Sequence, residues 1–130
     1  MKMIFFNIPI NKNKLNESLT FYAQTINFKK VSDETYYLTN EQYPNVGLGL
    51  MLEKNRAQTE RGFLSFQIEK NLPTFCHTLR KLGIDVDMVS DMLGNYFVAR
   101  FNDPSGNLIQ ISCDTLADDL GTEFEVSTID

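Results

Sequence analysis

FNDPSGNLIQIS, residues 101–112, joins a tight polar turn to an alternating strand. Asn102 and Asp103 can hydrogen-bond the backbone that follows them, Pro104 presets the first bend, and Gly106 supplies freedom where the chain reverses. A β-turn between two strands is therefore expected here. In the second strand Ile109, Ile111 and Cys113 share one face, and Leu108, Gln110 and Ser112 share the other. The first face is core. The second is half polar, and Gln110 at its middle is placed to face a ligand cavity.

Working outward, Ile4 to Ile10 alternates as Ile4, Phe6, Ile8, Ile10 against Phe5, Asn7, Pro9, which predicts a strand with one apolar face. A helix follows, with Leu15, Leu19, Tyr22 and Ile26 at helical spacing, N-caps available between Asn11 and Asn16, and Asn27 suited to the left-handed C-terminal position. Three strands come next: Phe28 to Asp33, Thr35 to Thr39, and Val46 to Glu53 after a Tyr43-Pro44-Asn45 turn. The second half repeats this order. Gly62 to Glu69 reads as a strand and is followed by a helix with Asn71 as N-cap, Pro73 in its first turn, an apolar stripe of Leu72, Phe75, Leu79 and Leu82, and Gly83 as stop. Val86 to Ser90, Tyr96 to Phe101 and Leu108 to Cys113 complete it. Phe5 and Phe63 open the two halves, and Leu50-Met51-Leu52 and Ile109-Gln110-Ile111 close them at a matching offset. The chain reads as a tandem β-α-β-β-β duplication, one domain over residues 1–113 made of modules at about 1–58 and 59–113.

The net charge of −5 is unevenly placed. Residues 114–130 hold Asp114, Asp118, Asp119, Glu123, Glu125 and Asp130 without a base, so the preceding residues are near balance. This acidic tail is expected to be solvated, with Phe124 and Val126 leaving room for a short docking strand. No basic stripe is available for nucleic acid. No apolar run approaches the roughly 20 residues that cross a bilayer, and the apolar start is broken by Asn7 and Pro9 with no cleavage-like site after it. A soluble cytoplasmic protein is expected, with no membrane partner. Cys76 and Cys113, without CxxC or Cys/His spacing, read as reduced packed thiols.

Ser18 to Phe28, SLTFYAQTINF, resembles the S-x-x-FY-x-x-x-LGF helix of the glyoxalase, bleomycin-resistance and extradiol-dioxygenase superfamily, the vicinal oxygen chelate proteins. FNDPSGNLIQI resembles their F-x-DPxGN-x-I-E-I hairpin. The resemblance covers residues 3–113. It implies an α+β fold in which two βαβββ modules form an open, cup-shaped, eight-stranded mixed sheet with the helices outside, often in homodimers.

Enzymes of that superfamily hold a divalent metal with His or Glu from the first, fourth, fifth and eighth strands. By the resemblance those slots fall on Phe5, Met51, Phe63 and Gln110. Two phenyl rings, a thioether and a neutral amide do not make a catalytic metal site, so no metal and no cofactor are expected. A two-residue shift would bring Glu53 into the fourth-strand slot on the same face, but one carboxylate is not a site. Glu53 is either a solvated strand end or a cup-facing acid able to act as a base, which makes it the one weak catalytic candidate. His77, the only histidine, lies away from the apolar stripe of its helix, leaving no imidazole for Ser-His-Asp or Cys-His chemistry. Asp103 reads as a turn former.

With Ile4, Phe6, Ile8, Leu64, Phe66 and Ile68 packed under the helices, opposite parity sends Phe5, Asn7, Phe63, Ser65 and Gln67 into the cup. Met51, Gln110 and Ser112 join them. Phe97, Ala99 and Phe101 go to core, which turns Tyr96, Val98 and Arg100 towards the cavity. Either this is an aromatic pocket with a few convergent polar groups, or Phe5 and Phe63 plug a filled cup. The leading functional expectation is a metal-free protein that binds an aromatic or antibiotic-like small molecule as a homodimer. The alternatives are a divergent lyase, isomerase or dioxygenase-like enzyme, and a non-catalytic assembly module.

Overall fold

The computed structural model describes residues 4–32, 37–53 and 61–128. It divides into two compact units, Met1–Phe63 with Asp103–Asn107, and Leu64–Asn102 with Leu108–Asp130. The first unit runs through β1 (Ile4–Asn11), a 3-10 turn (Lys12–Lys14), α1 (Leu15–Ile26), β2 (Lys29–Lys30), β3 (Tyr37–Asn40) and β4 (Tyr43–Glu53). The second runs through β5 (Phe63–Gln67), α2 (Leu72–Lys81), β6 (Asp87–Ser90), β7 (Phe97–Asn102), β8 (Leu108–Cys113) and β9 (Val126–Thr128), the unit boundary falling just after Phe63. The strand orders are β1-β4-β3-β2 and β5-β8-β7-β6-β9. Each half thus repeats β-α-β-β-β with its fourth strand beside its first, in an α+β architecture, and the acidic segment adds a ninth strand. Among the described residues no helix is long and apolar enough to cross a membrane.

In the first sheet β1 and β4 are parallel, while β4–β3 and β3–β2 are antiparallel. Ile8, Ile10, Leu38, Leu48 and Leu50 are buried with Phe21 and Tyr22 of α1. The expected parity places Ile4 and Phe6 in this core too, yet Phe6 is 50% exposed. An eight-residue strand is about 26 Å long and a twelve-residue helix about 18 Å, so α1 covers only part of β1. The buried face of α1 is Ser18, Phe21, Tyr22 and Thr25, rotated from the expected leucine stripe. The two small residues tolerate burial because their hydroxyls donate to backbone carbonyls one turn back, Ser18 to Lys14 and Thr25 to Phe21. Asn27 closes the helix in the left-handed region, as expected.

Other boundaries move. Residues 43–45 belong to β4, and the chain reverses at Glu41–Gln42 because the buried Asn40 accepts from the Gln42 N–H and donates to the Ile26 carbonyl. The second strand shrinks to Lys29–Lys30, a short lysine-bearing edge that resists further pairing. The expected strand ends at Asp33 and Thr35, and the module boundary at 58, lie outside the described residues.

The turn at 103–107 is packed within the first unit. Asp103 Oδ1 accepts from the N–H groups of Ser105 and Asn107, and Oδ2 accepts from the Tyr22 hydroxyl at 2.6 Å and from Asn107 Nδ2. Asn107 also donates to the Pro9 carbonyl and accepts from the Gly62 N–H. A side chain at Gly62 would run into Ile8 at 2.7 Å, so this close approach requires glycine. The two stretches that carry the family resemblance therefore meet through Tyr22 and Asp103.

Candidate functional site

In the first unit the outward face of the sheet is assembled by register. Phe5 lies opposite Gly47 and Asn7 opposite Gly49, and β3 places Thr39 opposite Gly47 and Tyr37 opposite Gly49. Although β4 separates β1 from β3, Phe5 and Tyr37 touch edge to face over it, with ring centroids 5.5 Å apart. They meet because the two glycines between them carry no side chain. Gly49 also makes room for the Asn7 amide, whose Oδ1 a Cβ there would strike. Phe5 is 48% exposed and Met51, further along the same face, 45%. The result is an open platform of aromatic rings, a thioether and an amide, suited to a flat or partly apolar ligand. Glu53 ends the same face, partly buried.

In the second unit Asp87, Arg100 and Gln110 form one row across β6, β7 and β8. Arg100 donates from Nε and Nη2 to the two Asp87 oxygens, at 3.0 and 2.7 Å. That fork holds the Asp87 carboxyl below the usual carboxylate range and raises Arg100. The row borders a cavity of about 560 Å³ that Arg80, Asp85 and Asn102 also line. Of the site residues expected from sequence, Arg100 and Gln110 are brought together here. Ser65 and Gln67 are exposed on β5, Phe63 is 58% exposed at its start, and Tyr96 lies exposed just before β7; none of these lines the cavity.

No family model and no curated protein matches the sequence. Solved structures do. A glyoxalase family protein from Bacillus anthracis superposes with a TM-score of 0.68 at 18% identity, over 88% of this chain and 96% of that one. TnmS3, an antibiotic binding protein from Streptomyces sp. CB03234, gives 0.65 at 18% identity over 88% and 97%. The fosfomycin resistance protein FosX from Listeria monocytogenes gives 0.64 at 14% identity over 89% and 93%. The chain has the glyoxalase, or vicinal oxygen chelate, fold.

That fold raises the question of a metal. The slots that the resemblance assigns hold Phe5, Met51, Phe63 and Gln110, and this donor set does not fit a catalytic divalent ion. Among the described residues no group of three or more His, Cys, Asp and Glu is placed to hold one. His77 is exposed on α2, while Cys76 and Cys113 are buried and free. Burial pushes the Cys76 thiol up to about 12, which keeps it protonated and unreactive. Sequence reading missed Tyr37, Asp85 and Asp87. The β3 alternation could have signalled Tyr37, but the two acids gain meaning only from cross-strand register.

Proposed function

We propose that this chain is a metal-free small-molecule-binding protein of the glyoxalase fold that holds a flat aromatic or antibiotic-like ligand on the outward face of its first sheet. The observation that carries this reading is the Phe5–Tyr37 ring pair over a glycine-bearing strand, with Phe5 half exposed and the Asn7 amide beside it. Rings left open to solvent serve stacking rather than core packing. The antibiotic-binding title of TnmS3 and the fosfomycin-resistance title of FosX support a sequestering role. Phe63, Ser65 and Gln67 on β5, with Tyr96, Arg100 and Gln110, are proposed as ligand contacts as well, each on the unit that carries it. A homodimer belongs to the same proposal, because Ile4, Phe5 and Phe6 leave the edge strand β1 apolar and exposed.

Calorimetric titration with metal-free bleomycin, whose tail carries flat aromatic rings, tests the reading. Replacing Phe5 by Ala is expected to weaken binding by about fivefold or more, the worth of one stacking contact. Unchanged affinity in Phe5→Ala would remove the platform from the site.

A further inference from the structure

We infer that the outer side of β6, with Arg80 of α2, is a strand-docking groove, and that its partner is residues 123–128 of a second copy of this chain, taking the place of the chain's own. The second sheet would end at β6 but for β9, which pairs with it in parallel from Met88–Val126 to Ser90–Thr128. Without β9 the outer backbone N–H and C=O groups of β6 stand unpaired, the condition under which an extended peptide adds to a sheet by main-chain hydrogen bonds. Side chains supply the selection. The Arg80 guanidinium lies 4.1 Å over the Phe124 ring centroid and pairs with Glu125 at 2.9 Å, so one residue reads an aromatic ring and the acid that follows it. Phe124 and Val126 are half-buried while Glu123, Glu125 and Ser127 are exposed, the alternation of a strand laid on a surface. The groove therefore fits an aromatic residue, an acid and a β-branched residue in succession.

The segment is fastened at one end and lightly held at the other. Residues 117–122 are tied to the start of α2: the Asn71 N–H donates to the Ala117 carbonyl, the Asn71 amide and Asp119 exchange hydrogen bonds, and the Thr74 hydroxyl bonds Asp118 and Thr122. Among the described residues, the polar contacts of the arm at 123–128 are with Arg80 and β6, and none of its side chains is fully buried. The Glu125 side chain is 76% exposed, so water and salt screen its ion pair. An arm held this way opens locally without unfolding the unit. The arm of a second copy then rebuilds every contact, in competition with a tethered arm whose effective concentration is about millimolar. The partner is a second copy because its arm carries the sequence that the structure shows seated in the groove.

The test weakens the arm without shortening the chain. A peptide with the sequence of residues 121–128, GTEFEVST, is titrated by NMR into the double variant Phe124→Ala, Glu125→Ala, whose fold is checked by its melting temperature. Saturable shifts are expected at Met88, Val89 and Ser90. The native chain, with its own arm in place, should bind the peptide about tenfold more weakly, and so should the double variant once Arg80→Ala removes the ring stack and the ion pair. A second copy is then offered. Unlabelled Arg80→Ala chain, which keeps an intact arm, is added in excess to the isotope-labelled double variant and should slow exchange of the β6 amides that β9 covers. No saturable shift at about millimolar peptide, equal binding of the same residues in scrambled order, full affinity after Arg80→Ala, or unchanged exchange with the second copy would overturn the proposal. A dimer through β1 leaves these β6 readouts unchanged, so the two interfaces are distinguished, and neither depends on bleomycin binding.

Discussion

Asp103 is buried with a carboxylate that accepts hydrogen bonds from both its own turn and α1. Its role as a turn former was legible from Asp-Pro-Ser-Gly, because those contacts are local. Its bond to Tyr22 was not, since the partners are distant in sequence and only the fold brings them together. Tyr22→Phe removes one donor from a buried acceptor and is expected to cost about 1–3 kcal/mol in urea unfolding. Titration adds a second residue-scale expectation. Burial raises Cys76 to about 12, and burial together with the Asp103 charge raises Tyr22. A raised folded-state value means that the folded chain keeps protons the unfolded chain has released. Their contribution to stability is full below the unfolded thiol value of about 8.5 and is lost as pH climbs towards about 12. Unfolding free energies measured across this range should fall with pH, and the fall should be shallower in Cys76→Ala.

At the scale of elements, α2 and the acidic segment form one structure. Asn71 sits before α2 in the left-handed region and gives no side-chain cap. The cap comes instead from Asp118, whose carboxylate accepts from the Thr74 N–H at 2.8 Å and the Thr74 hydroxyl at 2.7 Å. Asp119 pairs with Lys70, Glu125 with Arg80, and β9 runs parallel to β6 from Met88–Val126 to Ser90–Thr128. Three acids of this segment, Asp118, Asp119 and Glu125, therefore meet α2 or the lysine just before it. The segment is largely exposed, as its charge implied; what composition does not record is which cations lie opposite, and Val126, expected as part of a short docking strand, opens β9. The Thr74 hydroxyl holds the Asp118 carboxyl below its usual range, so its contribution is present above about pH 4 and is lost as pH falls through the folded value. Asp118→Asn should lower the unfolding free energy at neutral pH and increase amide exchange in the first turn of α2, with the difference from the native chain vanishing at strongly acid pH.

Over the whole molecule, the duplication was legible because each half carries its own periodicities and stop signals, and the strand order repeats as they imply. The outward parity of Phe5 and Met51 was legible for the same reason. The ring pair over Gly47 and Gly49 was not, because it depends on which residues the register sets side by side. The proposed homodimer predicts a sedimentation mass of two chains at about micromolar concentration, in the usual range for specific association, and a single chain once Phe6→Glu charges the exposed β1 edge. The central claim, that the chain binds small molecules without a metal, is tested most directly by titrating bleomycin into protein purified without chelator, before and after dialysis against EDTA. Equal affinity in both samples, with no stoichiometric divalent metal in the first, is the predicted result. Bound zinc, iron, nickel or manganese at one per chain, with affinity lost on its removal, would contradict it.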